Sequence, residues 1–362
     1  MHSRQYGKAT GFALSLVVPL MPFLGYQAGS SWVTAVLFFL VFPILGRIIG
    51  NDSTPTISVD QVPAFMRFYY RWLPRLYFPL WLFSLIWTVQ TITRPGMPIS
   101  TVLGLGFSAA IGSACASSVA HELTHRETRA DTWLARLMVT LMGYPHFIRE
   151  HFYHHRHVGI PLHSLSARVG EGLWAFLYRI LPEGLAAARD MEGQILLKRK
   201  KSLWHCTIIQ NAVITILWAC LFTWIAGMSG LVFFLLQAVY SIFAIQAINY
   251  VQHYGLVRLP TEAIGHDITW EDNCPIANCL TLNINHHSQH HQEPNLPYYA
   301  LELDRLSPRL PASYMIMFSI AYIPALWRKV MDPRLMAYLK QRGKPLQQGE
   351  GDCLNVLGEL IR

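Results

Sequence analysis

What most limits the folds open to this chain is a set of apolar stretches, residues 11–27, 32–49, 74–92, 98–120, 206–227 and 229–251. Crossing a bilayer as helix takes roughly 20 mainly apolar residues, and each stretch approaches or meets that length. Only 14% of the 362 residues are charged, against about 25% in ordinary soluble domains. The pattern predicts an all-α integral membrane protein with six transmembrane helices. Residues 1–362 read as one domain, with a His-rich cap built from 121–205 and 252–362 on the cytosolic side.

The polar segments set the orientation. The first stretch follows a short basic start, Arg4 and Lys8, and resembles a secretory leader, but the second apolar run close behind makes a helical hairpin the better reading. Arg47, Arg67, Arg71 and Arg75 mark the next loop as cytosolic, and Pro95-Gly96 forms a short outside turn. Spans five and six are joined tightly through Met228-Ser229-Gly230. Segment 132–148 suits an interfacial helix, 171–202 a cytosolic helical excursion, and 312–327 an interfacial or core helix between Pro311 and Pro324. Both termini then lie in the cytosol. Net charge is +8, with Lys and Arg scattered among loops. Nucleic-acid binding would need them clustered on one face.

Four His-rich segments fall on that same side. They are His121-Glu122-Leu123-Thr124-His125, His151-Phe152-Tyr153-His154-His155, Asn249-Tyr250-Val251-Gln252-His253 and Asn285-His286-His287-Ser288-Gln289-His290-His291. Residues three and four apart share a helix face. His287 with His290 and His291 therefore forms a pincer, as do His151 with His154 and His155, while His121 and His125 form an i, i+4 pair. His286 lies about 100° off the face of its neighbours. His2, His146, His157, His163, His205, His266 and His286 carry no ligand assignment.

Taken alone, His121-Glu122-x-x-His125 matches the zinc-protease signature. Catalytic zinc needs three protein ligands and an open position, and this chain offers three times as many imidazoles. The surplus argues for two metal ions, and imidazole suits iron as well as zinc. The six cysteines, Cys115, Cys206, Cys220, Cys274, Cys279 and Cys353, include no C-x-x-C pair, so neither a zinc knuckle nor a fused rubredoxin-like site is encoded. Gly104-x-Gly106-x-x-Ala109 matches a dinucleotide fingerprint only nominally, because no strand precedes it. Gly104, Ser108, Gly112, Ala116 and Ala120 instead form a small-residue ridge that lets a neighbouring helix come close.

With these motifs in order, the sequence resembles the membrane-bound alkane 1-monooxygenase (alkane omega-hydroxylase) family within the fatty acid desaturase/hydroxylase superfamily. The resemblance covers nearly the whole chain. It is carried by 121–126, 143–158, 249–256, 285–291 and Met331-Asp332-Pro333-Arg334-Leu335. It implies a centre of two iron ions held by His121, His125, His151, His154, His155, His253, His287, His290 and His291, with no catalytic residue beyond the ligands. It also implies O2-dependent hydroxylation of a terminal methyl group of an alkane or alkyl chain. Electrons would come from rubredoxin and its flavin reductase, for which the basic run Lys198, Arg199, Lys200 and Lys201 offers a docking surface.

Four positions depart from the family pattern. His151-Phe152-Tyr153-His154 has two intervening residues where the family usually has three, the spacing of desaturases. Gln252 and Gln289 stand where acids are usual, and His286 where an Arg is usual. Carboxylates that orient metal-bound His raise ligand basicity, so Glu122 and Glu150, with Asn249 and Gln252, are expected to form the surrounding shell. Phe38 resembles the position where a bulky aromatic limits substrate length. The near rivals are a hydroxylase of aromatic methyl groups and a fatty acyl desaturase. An intramembrane zinc protease and a non-enzymatic metal-binding or transport protein are more distant.

Overall fold

The structure, a computed structural model, describes residues 3–161, 163 and 165–342, so His2 and Cys353 lie outside the described residues. No β-strand occurs among them, and the one sheet-like contact is an isolated bridge between Glu271 and Arg309. Three helices are long and apolar enough to cross a membrane: α1 (Arg4–Gln27), α4 (Ile99–Thr124) and α8 (Thr207–His253). Between the first two lie α2 (Val33–Ile49), apolar but shorter, and α3 (Ala64–Ile92), which carries Arg67, Arg71 and Arg75 in its first half.

Helix α8 is a hairpin. Ala226 and Gly227 leave helical geometry, Gly227 with φ 61°, a conformation that only glycine adopts cheaply. Eleven residues of straight helix would span about 16 Å, yet the Phe222 ring lies 5.9 Å from Phe233 and 5.8 Å from Phe234. The chain therefore doubles back, as two consecutive spans require. The turn sits at Ala226-Gly227 and corrects the sequence placement at Met228-Ser229-Gly230, because Gly227 supplies the positive φ and Met228 already resumes the helix.

The small-residue ridge puts α4 at the centre. An added Cβ on Gly104 would lie 2.4 Å from Ser31 Oγ, and one on Gly112 3.5 Å from Pro19 Cα. Polar groups bridge the same contacts, since an unpaired hydroxyl in an apolar surrounding is costly. Ser108 donates to the Ser31 carbonyl at 2.9 Å, Tyr77 to the Gly112 carbonyl at 2.8 Å, and Trp81 to Ser113 Oγ at 3.0 Å. In α2, five residues from Leu37 to Val41 form a π turn just before Pro43. Proline lacks the N–H for the helical bond and its ring crowds the preceding turn, which favours such a widening.

The remaining helices lie at the end where the His motifs gather. Thr128 caps α5 (Arg129–Leu141) by accepting from Asp131 N at 3.2 Å, and Asp131 pairs with Arg75 of α3 at 2.7 Å. Beyond it come α6 (Phe147–His157) and α7 (Leu173–Lys198), the latter filling the expected excursion. After α8 follow α9 (Pro275–Thr281) and α10 (His287–Gln292). The expected helix at 312–327 is two helices, α11 (Tyr314–Ala321) and α12 (Pro324–Arg342), because Pro324 starts a new one. Met331 and Leu335 of α12 are fully buried, and Asp332 accepts from Tyr254 Oη at 2.6 Å. The Met331–Leu335 element thus clamps the residue that follows His253.

Gly104→Leu is expected to destabilise the protein by about 1–3 kcal/mol through overpacking. Gly106→Leu on the same helix meets open space and should cost far less. Thermal unfolding of the two variants in detergent micelles checks the difference.

Candidate metal centre

Nine buried imidazoles converge from four helix ends. His121 and His125 lie at the C-terminus of α4, His151, His154 and His155 on α6, His253 on the last turn of α8, and His287, His290 and His291 on α10. They form two groups, each with nitrogen atoms within 4.8 Å of one another. One holds His121, His125, His151, His155 and His290, and the other His154, His253, His287 and His291. The helical repeat explains the division. Each i, i+4 pair (121/125, 151/155, 287/291) stays within one group, and the i+3 residue of α6 and of α10 crosses to the other.

Within the first group, His151 Nε2 lies 2.7 Å from His125 Nε2 and 3.0 Å from His155 Nε2, which lies 3.1 Å from His290 Nε2. In the second, His287 and His291 approach at 3.1 Å through the same atoms. Two nitrogens each about 2.1 Å from one metal ion, at right angles, are about 3.0 Å apart. His253 Nδ1 donates to the Ile268 carbonyl at 2.8 Å. That bond fixes the tautomer and leaves the Nε2 lone pair free, and this buried atom has no partner among the described residues. His121 Nε2 is orphaned likewise.

The electrostatics agree. Burial, reinforced by neighbouring imidazoles, pushes His151, His154, His155, His287, His290 and His291 well below the usual histidine range, and His125 down to about 2. Metal binding needs the neutral ring, and these rings are neutral at physiological pH. A concave set of lone pairs without protons is a cation site, and the residues present fit metal ions that accept imidazole: iron, zinc, copper or nickel.

The acids and amides of the expected shell have other partners. Glu122 pairs with Arg126 at 3.3 Å, and Glu150 accepts from Tyr144 Oη and from Gln246 Nε2, each at 2.7 Å. Asn249 donates to the Leu165 carbonyl at 2.8 Å and to Gln246 Oε1 at 3.0 Å, and Gln252 donates to the Ile284 carbonyl at 3.3 Å. Gln289 Oε1 accepts from Glu302 N at 2.5 Å. His286, buried beside the cluster, donates from Nδ1 to the Leu301 carbonyl at 3.1 Å and accepts at Nε2 from Asn278 Nδ2 at 3.4 Å. His146, His157, His163, His205 and His266 belong to neither group.

Sequence reasoning missed Glu271. It is fully buried, accepts from Ser288 N at 2.8 Å, and pairs with Arg309 at 3.1 Å, so it holds the first turn of α10 between two ligand positions. No spacing in Trp270-Glu271-Asp272-Asn273 signals this, because the contact comes from the loop's path in space. Tyr144 and Gln246 were missed for the same reason.

Two cavities lie in this region, the first of them lined by the rings. One of about 70 Å³ is lined by His121, His151, His154 and His287 together with Glu150, Gln246 and Asn249. Another, of about 120 Å³ and mostly apolar, is lined by Phe38, Phe39, Cys115, Tyr240 and Phe318 among others. Ile248 and Ile284 line both and stand between them.

The fatty acid desaturase family model matches residues 95–321. Alkane 1-monooxygenase 2 of Alcanivorax borkumensis is 30% identical over 350 residues, 92% of each chain. Alkane 1-monooxygenase 1 of the same organism is 31% identical over 343 residues, 90% of this chain and 84% of that one. The xylene/toluene monooxygenase hydroxylase component XylM of Pseudomonas putida is 26% identical over 212 residues, 58% of this chain and 57% of its own. For His287→Gln the expected outcome is a clear drop in bound metal per chain by elemental mass spectrometry. His286→Gln, at a ring already engaged at both nitrogens, should retain most of the metal.

Proposed function

This chain belongs to the alkane 1-monooxygenase family, and we propose that it uses two iron ions and O2 to hydroxylate the terminal methyl group of alkanes or related alkyl chains. The observation that carries this reading is the pair of imidazole groups, with an apolar cavity that shares Ile248 and Ile284 with the ring-lined one. His121, His125, His151, His155 and His290 would hold one ion, and His154, His253, His287 and His291 the other. When bound, the iron pair would supply the redox chemistry that reduces O2 and delivers one oxygen atom to a C–H bond.

The chain's own residues supply what that chemistry needs besides metal. A terminal C–H bond is stronger than an internal one, so terminal selectivity has to come from shape. Phe38 and Phe39 line the apolar cavity, and Ile248 and Ile284 stand between it and the ring-lined compartment. A chain threaded this way meets the imidazoles end first. Packed helices exclude water from that compartment, which protects reactive species from side reactions.

We further place the protein as a single domain with six crossings, α1, α2, α3, α4 and the two arms of α8, in the bacterial inner membrane. The His-rich cap and both termini would face the cytosol. The exposed run Lys198 to Lys201 would receive rubredoxin, itself reduced by a flavin reductase. XylM's relatedness makes methyl groups on aromatic rings the second substrate class.

Purified protein given ferrous iron, rubredoxin, its reductase, O2 and a panel of n-alkanes with toluene should yield 1-alkanols. Absence of oxygenated product, or mainly internal alcohols, would sink the reading, and benzyl alcohol as the dominant product would favour the second class. Phe38→Ala should move the preferred alkane length upward by a few carbons in the same assay, and an unchanged length profile would retire that role.

A further inference from the structure

A chain of buried hydrogen bonds beside the imidazoles ends on an unused acceptor. Glu150 accepts from Tyr144 and Gln246, so Gln246 must present its amide nitrogen to Glu150. That turns Gln246 Oε1 the other way, where it accepts from Asn249 Nδ2 at 3.0 Å. Asn249 Nδ2 also donates to the Leu165 carbonyl at 2.8 Å, which spends both of its protons. Asn249 Oδ1 is therefore left over, buried and without a partner among the described residues.

A buried acceptor of this kind costs free energy unless a donor reaches it. Asn249 lines the cavity that also contains His121, His154 and His287, and that cavity offers it space for a donor. The alkane substrate has no donor to give. The hydroxylated product has one, on the very carbon that would lie in this compartment.

We propose that Asn249 Oδ1 is the seat of a primary alcohol, accepting the product's O–H while its alkyl tail occupies the apolar cavity past Ile248 and Ile284. This assignment rests on the hydroxylase reading and deepens it. The carboxylate of Glu150 is the anchor of the device, since it fixes which way each amide in the chain faces. The site distinguishes the reaction's two ends by a single donor: alkanes bind through the tail alone, and primary alcohols through tail and hydroxyl together.

Cys115 lines the apolar cavity and gives a readout that needs no turnover. Full-length, iron-loaded protein in detergent, held without reductant, is treated with methyl methanethiosulfonate, and modification of Cys115 is followed by peptide mass. Three ligands compete, decane, 1-decanol and decyl methyl ether, with concentrations taken in the micelle phase. The ether keeps the tail and lacks the donor. One neutral hydrogen bond contributes about 0.5–1.5 kcal/mol, so 1-decanol should protect Cys115 at a roughly two- to tenfold lower concentration than the ether.

In Asn249→Leu, and in Asn249→Ala should the first variant fail to fold, that advantage should vanish while decane protects as before. Equal protection by alcohol and ether in the unaltered protein overturns the assignment. So does an advantage that survives both substitutions, which would leave water as the occupant of the acceptor. Failure of decane itself to protect, together with no alkanol in the turnover assay, would instead count against the hydroxylase reading.

Discussion

The structure depends on keeping nine uncharged imidazoles together in a place that water does not fill. Each ring is at most 9% exposed, and burial holds the rings outside the spans neutral. Neutral rings with converging lone pairs repel one another unless a cation lies between them, so the cluster is stable only if the surrounding helices are themselves firmly held. The architecture answers that need. Gly104 and Ser108 draw α4 close to the loop before α2, Asp131 pins α5 to α3 through Arg75, and Asp332 with the buried Trp327 fixes the last turn of α8.

The environment also sorts the polar residues near the cluster into distinct tasks. His286 is adjacent to a ligand position yet bonded at Nδ1 to the Leu301 carbonyl and at Nε2 to Asn278 Nδ2, so it steadies the loop. Glu271 reaches the backbone of α10 from a distant loop. Glu150, Tyr144 and Gln246 make a closed network beside the ring-lined cavity. Gln289 accepts from a backbone N–H, which an amide oxygen does as well as a carboxylate, whereas Gln252 donates to a backbone carbonyl, which a carboxylate could not do.

Much of this was legible in the sequence, and the reasons are specific. Helical spacing alone puts His151 with His155 and His287 with His291, and the structure shows these pairs within single groups. The two arms of α8 follow from two apolar runs around a glycine, although the turn falls at Ala226-Gly227 because backbone geometry, not polarity, chooses the reversal point. The ridge on α4 follows from small residues at spacing four. What could not be read is whatever depends on loops meeting in space: Glu271 against Ser288, Tyr144 against Glu150, and the division of nine rings into five and four. Hydropathy also does not separate crossings among helices of uneven length, and among the described residues only α1, α4 and α8 have both the length and the apolar character.

Helices α6 and α10 each contribute to both groups of rings, His151 and His155 against His154, and His287 and His291 against His290. Each group keeps one helix to itself, α4 for the first and α8 for the second, but both share α6 and α10. A slide or rotation of either helix disturbs both clusters at once, so the pair is yoked, and loading or emptying one half changes the shape offered to the other. A protein built this way can tune its halves separately only through α4 and the last turn of α8, and selection acting on either shared helix drags the twin along.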